Sequence, residues 1–93
     1  GAEAAYRADG YNHFTIRELL QPLEQTAMLC GMTYLPPFAL FGARTAVEED
    51  RVGQHIDDWM QVLGALRDDR LDIQTARDLP QLNGDLGAII REH

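Results

Sequence analysis

Apolar residues in this chain recur first with a helical period, then as a continuous run, then with a helical period again. Ile16, Leu19, Leu20, Leu23 and Ala27 share one helical stripe. Thr15-Ile16-Arg17-Glu18 opens it as a capping box, in which the Thr15 hydroxyl and the Glu18 carboxylate each accept from the other's backbone N–H. Pro22 interrupts the stripe. It lacks an N–H and its ring clashes with the preceding turn, which predicts a kink or a restart. Gly31 is placed to end the helix at its C′ position. Before this helix, Gly1–Phe14 has loop character, with small residues followed by Tyr11-Asn12-His13-Phe14.

Beyond Gly31 the pattern changes. Tyr34-Leu35-Pro36-Pro37 is held extended by its prolines, and Phe38-Ala39-Leu40-Phe41 is an apolar run closed by Gly42. A run with no polar face suits a short strand covered on both sides, as in a parallel α/β sheet. Thr45 with Glu48 predicts a second capping box. Val52, Ile56, Trp59, Leu63 and Leu66 then give the clearest amphipathic stripe in the chain, with Glu49, Asp50, Asp57 and Asp58 mostly off it. Asp68-Asp69-Arg70 marks its polar end, and Leu71–His93 reads as a tail with a turn over Leu79–Asp85 and a last short helix through Ile89 and Ile90.

A strand buried on both faces needs hydrogen-bonding neighbours, and no other segment reads as a good strand. Its partners lie in a longer chain, or in a second copy, or the segment is not a strand. The first is the simplest, and the chain is expected to be part of a longer protein.

Composition narrows the function classes. A hydrophobic fraction of 45% and a charged fraction of 25% over 93 residues suit one small folded domain. A net charge of −7, with the basic residues scattered, argues against nucleic-acid binding. Cys30 is the only cysteine, so a reducing, cytoplasmic setting is the simpler expectation, and its neighbours Met28, Leu29 and Met32 predict a buried thiol. His13, His55 and His93 lie far apart without ligand spacing, so no metal site is expected, and His55 is expected to flank the core. The absence of serine removes a serine nucleophile. What remains is the opening loop. On residue chemistry alone its tyrosines, asparagine and histidine are either a binding loop for a flat ligand or a surface loop stapled to the next helix.

Three stretches carry a resemblance: Gly10–Phe14, Leu19–Ala27 with its internal proline, and Cys30-Gly31-Met32-Thr33-Tyr34-Leu35-Pro36-Pro37-Phe38. Over about Gly1–Leu66 the chain resembles the flavodoxin-like NAD(P)H:quinone oxidoreductases, in the bacterial branch that includes the ancillary proteins of glutathione-regulated potassium efflux. The resemblance implies an α/β fold. This chain would be the C-terminal part of a flavodoxin-like doubly wound parallel sheet, mainly helical with one short strand: residues 1–70 as the end of that domain and residues 71–93 as an extension. It also implies FMN or FAD as cofactor and NAD(P)H as co-substrate, with hydride passing to flavin N5 and then to a quinone by a ping-pong route.

Gly1, Ala2 and Glu3 look like the end of the family's glycine-rich loop beside the flavin, with Ala2 in place of the usual second glycine. Tyr6 matches the aromatic position beside flavin and substrate. The family's histidine, six residues after that tyrosine, falls here on Asn12, with His13 next. The resemblance thus implies Tyr6 and His13 as catalytic, Gly1, Ala2, Glu3 and Tyr6 as cofactor-binding, and Tyr11 and Asn12 as substrate-binding. It further implies a homodimer with the loop facing the partner, and peripheral contact with a transporter at the inner membrane. The alternative is a non-catalytic helical module contacting a transporter or a second copy, with the Val52-Ile56-Trp59-Leu63 stripe as its surface.

Overall fold

The computed structural model describes residues 1–92, and His93 lies outside them. The local signals around the first helix are realised. Glu18 N–H donates to Thr15 Oγ1 at 3.1 Å and Thr15 N–H to Glu18 Oε1 at 3.0 Å, completing the capping box of α1 (Ile16–Leu19). Pro22 produces a restart: Leu20 leaves the helical region and α2 (Gln21–Leu29) begins with the proline in its first turn. Gly31, at φ 72°, ends α2. Its N–H donates to Met28 C=O and that of Met32 to Ala27 C=O, the paired bonds of a left-handed helix stop.

The second capping box does not form. Thr45 lies inside the short α3 (Ala43–Ala46), and its hydroxyl bonds Gly42 C=O and Glu49 instead. Arg51 competes for the same acceptors, donating to Glu49 Oε1 as well as to the carbonyls of Phe41 and Gly42. α4 (Val52–Arg67) follows with no side-chain cap.

The buried cluster is small: Val62 and Ala65 from α4, and Leu71, Ala76, Leu82 and Ile89 from the segment after it. The tail is wound onto α4 through α5 (Ile73–Ala76), a 3₁₀ turn at Leu86–Ala88, and an antiparallel bridge between Leu71 and Ile90. Ile89 is itself fully buried, but in the bridge region and not in the expected last helix. Asp72 caps α5 by accepting from Thr75 N–H and Oγ1, and these bonds hold its carboxyl below the usual range. A depressed carboxylate contributes stability above its unfolded pKa and loses it as pH falls through the folded one. We therefore expect Asp72→Asn to flatten the acid limb of a thermal-midpoint-versus-pH curve below about pH 4. An unchanged limb would remove this role.

The apolar stripe of α4 lies on a different face from the one expected. Counting 100° per residue, apolar positions span an arc of about 220° from Ala65 round to Met60. Only the Ala65–Val62 side is buried, while Ile56, Trp59, Met60, Leu63 and Leu66 are exposed. Likewise α1 and α2 bury no residue, so Leu19, Leu23, Met28 and Leu29 face outward. Cys30, expected to be buried, is exposed for the same reason: nothing packs over the end of α2.

The expected strand Phe38–Phe41 does not form a ladder, and the described residues contain no strand. The segment is extended but is paired by unusual partners. Leu82 N–H donates to Pro37 C=O at 2.8 Å. The Asn83 side-chain amide then takes both backbone groups of Ala39, accepting from its N–H at 2.8 Å and donating to its C=O at 2.7 Å. The backbone groups of Pro37 and Ala39 thus point to the tail. On the even-numbered edge Gly42 N–H meets Gly1 C=O, and the backbone groups of Phe38 and Leu40 have no partner among the described residues. A ladder needs a backbone neighbour, and on one edge a side chain stands in for it.

Candidate functional site

The opening loop folds tightly before it presents anything. A 3₁₀ turn at Glu3–Ala5 is followed by bonds from Gly10 N–H to Arg7 C=O and from Asn12 N–H to Ala5 C=O. Gly10 lies against the backbone of Ala4 and Ala5, where a Cβ would come within 2.2 Å of Ala4 C=O. This closure turns Tyr6, half-buried, onto Phe41, with ring centroids 5.5 Å apart and planes tilted by 47°. Gly1 sits beside the Tyr6 hydroxyl, and its carbonyl holds Gly42 N–H, so the loop is tied to the end of the extended segment. Arg51 fixes that end by donating to the Phe41 and Gly42 carbonyls at 2.6 and 2.8 Å.

Tyr6 and Phe41 line a cleft of about 390 Å³. Ile16, Leu79 and Pro80 add apolar surface, and Glu3, Arg7, Gln81 and Asp85 supply polar groups. Glu3 pairs with Arg7 at 3.8 Å, with both side chains more than half exposed, so the pair is weak. The arrangement suits a flat, largely apolar ring with one polar edge.

Of the residues the sequence singled out, the cleft brings together Glu3 and Tyr6, with Gly1 adjoining Tyr6. Ala2 is exposed at the start of the 3₁₀ turn. Tyr11 is 88% exposed, His13 is exposed with φ 63°, and Asn12 is bound to the loop through its backbone. None of the three lines the cleft. His55 packs on Phe38 at 4.6 Å between ring centroids, beside Trp59, as a flank of the core.

Sequence reasoning missed Arg7, Ile16, Phe41, Leu79, Pro80, Gln81 and Asp85. Phe41 was already visible as the last residue of the apolar run. The tail residues carried no signal, because only tertiary contacts bring them here.

A family model described as flavodoxin-like fold matches residues 1–63. General stress protein 14 of Bacillus subtilis (strain 168) is 49% identical over 51 residues, covering 54% of this chain and 29% of that protein. An uncharacterized NAD(P)H oxidoreductase, YdeQ, of the same organism is 48% identical over 48 residues, covering 52% of this chain and 24% of its own length. The glutathione-regulated potassium-efflux system ancillary protein KefG of Serratia proteamaculans (strain 568) is 45% identical over 42 residues, covering 45% of this chain and 23% of KefG. The chain thus spans less than a third of the length of these relatives. No solved structure matches it.

Proposed function

The chain belongs to the flavodoxin-like fold family, and from that membership we propose that it is the substrate-side portion of a flavin-dependent NAD(P)H:quinone oxidoreductase. The observation that carries this reading is the Tyr6–Phe41 aromatic pair in an apolar cleft, within the family-matched residues. A relative named as an NAD(P)H oxidoreductase supports the reaction class. The open even-numbered edge at Phe38 and Leu40 supports a sheet completed by strands outside these residues.

The cleft fits one part of a flavin and not another. Tyr6, Phe41 and Ile16 offer flat apolar contact to a ring, and the backbone of Gly1–Glu3 lies alongside it. A phosphate has a poor match: Arg7 is the one cation of the described lining, and the Glu3 carboxylate lies 3.8 Å from it. The phosphate site is therefore assigned to the rest of the fold. Bound FMN or FAD would supply the two-electron relay, so that NAD(P)H, a proton and the quinone give NAD(P)⁺ and the hydroquinone.

This chain's residues orient and shield. Tyr6 stacks on or hydrogen-bonds the acceptor ring, while Leu79 and Pro80 keep water from it. Proton handling by His13 and substrate contact by Tyr11 and Asn12 need the exposed loop to face a second subunit, and a homodimer is part of the proposal.

The test is flavin uptake and NAD(P)H-dependent quinone reduction by the full-length protein. We expect bound flavin in the visible spectrum, and a roughly tenfold lower kcat/KM in Tyr6→Ala, about the worth of one aromatic contact. A protein that takes up no flavin and reduces no quinone sinks the reading.

The exposed face of α4 favours a second reading, a non-catalytic module that contacts a transporter or a second copy at the cytoplasmic surface of the inner membrane. KefG, an ancillary protein of a potassium-efflux system, is the relative in its favour. Trp59 fluorescence that responds to partner addition, with a matching rise in size, separates it from the first.

A further inference from the structure

The family match ends at residue 63, yet residues 79–85 return to the Tyr6 cleft. Three attachments bring them there. The Arg17 guanidinium donates to the carbonyls of Arg77 and Leu79, the latter at 2.6 Å. Leu82, 4% exposed, anchors in the core while its N–H bonds Pro37. The Asn83 amide clasps both backbone groups of Ala39. Leu79–Asp85 is therefore pinned at its start and, through Leu82 and Asn83, at its middle. A segment so held at the mouth of a cleft sets the cleft's shape instead of yielding to its occupant.

We propose that Leu79–Asp85 is the specificity-determining wall of this cleft, admitting planar neutral acceptors and disfavouring anionic ones. The inference rests on the oxidoreductase reading and deepens it. Leu79 and Pro80 make the wall apolar. Gln81 has one amide N–H committed to Asn83 C=O at 2.6 Å, so a single N–H remains to meet an anion, beside a side-chain oxygen that only accepts. The Asp85 carboxylate has no hydrogen-bond or ion-pair partner among the described residues, so its charge is uncompensated at the rim. Arg7 is the one cation of the described lining and pairs weakly with Glu3 at 3.8 Å, while Arg17 and Arg51, behind the lining, are paired with Glu24 and Glu49. The rim carries Glu3 and Asp85 against Arg7, and an anionic ring entering it meets net like charge. The pinning residues are positioning residues, and Asp85 acts on selection, not on the chemical step.

The experiment compares menadione with 1,2-naphthoquinone-4-sulfonate as acceptors for the flavin-loaded, full-length protein, with a titration of menadione followed by backbone amide NMR shifts. We expect kcat/KM to favour menadione. Asp85→Lys should narrow that ratio about fivefold at low ionic strength, and the narrowing should fade in high salt. Asp57→Lys makes the same net-charge change on exposed α4 away from the cleft, and should leave the ratio alone. In the titration the amides of Gln81–Asp85 should shift together with that of Tyr6. Quinone turnover with a ratio unmoved by Asp85→Lys overturns the wall while sparing the oxidoreductase reading. Failure of the wild-type protein to reduce any quinone overturns that reading instead. The wall is then decided by the titration: Gln81–Asp85 amides that stay still as menadione is added overturn it, and amides that move support it.

Discussion

Gly10→Ala should disrupt the cleft more thoroughly than any change to a side chain that lines it. The added Cβ would fall 2.2 Å from Ala4 C=O and 2.9 Å from the Ala5 carbonyl carbon and oxygen. All three are backbone atoms, so no rotamer change relieves the overlap. The loop must open, and it opens where Asn12 N–H bonds Ala5 C=O, one residue before Tyr6. Overpacking of this kind costs about 3 kcal/mol, or a drop of roughly 12–24 °C in melting midpoint for a domain this small. If the strain is released locally, the midpoint moves less, and the loss appears as a changed Tyr6 amide shift and weaker flavin or quinone binding. Gly53→Ala is the contrast. Its Cβ would meet nothing within 4 Å inside α4, so it should stabilise by about 0.5–1 kcal/mol. A Gly10→Ala protein with wild-type midpoint and unperturbed Tyr6 would sink the account of how the loop is built.

The contrast between these glycines marks what the sequence could reveal. Signals that act within a turn or two were legible: the Thr15–Glu18 box, the restart at Pro22 and the stop at Gly31 all depend on neighbours a few residues away. The same motif at Thr45 and Glu48 failed because Gly42 C=O takes both the Thr45 N–H and the Thr45 hydroxyl, and Thr45 lies inside α3 and not before it. Periodicity identified α4 but not its buried side. The covered side holds the small residue Ala65 and is closed by Ala76, Leu82 and Ile89 from a tail whose sequence shows little pattern.

At the site, Tyr6 was legible through the family resemblance, which spans the loop. Gln81 and Asp85 were not, because they reach the cleft only through Arg17, Pro37 and Ala39, residues more than 40 positions away. The apolar run at Phe38–Phe41 demands hydrogen-bonding neighbours, and among the described residues Ala39 has them while Phe38 and Leu40 do not. That one of them would be a side chain was outside any pattern.

That side chain is the subject of the second large effect. The Asn83 amide both accepts from Ala39 N–H and donates to Ala39 C=O, across 44 residues of chain, in a part-buried setting. Asn83→Ala leaves both backbone groups unpaired, at a cost of about 2–3 kcal/mol. In urea this lowers the unfolding midpoint by roughly 2 M, taking a slope near 1 kcal/mol/M for a small domain. Asn83→Asp isolates the donor half of the pair. The carboxylate can still accept from Ala39 N–H, but it sets a second oxygen against Ala39 C=O, so at pH 7 it should cost at least as much as alanine. Protonation restores an O–H donor at that oxygen, so the introduced carboxyl has a raised pKa in the folded state. A raised pKa gives stability that is present below the unfolded value and lost as pH rises through the folded one. The gap between Asn83→Asp and wild type should therefore shrink as pH falls from 7 toward about 4 and level off below it, whereas the gap for Asn83→Ala should not. An Asn83→Asp protein as stable as wild type at pH 7 would mean that the amide is not standing in for a strand, and that the tail reaches the cleft by some other hold.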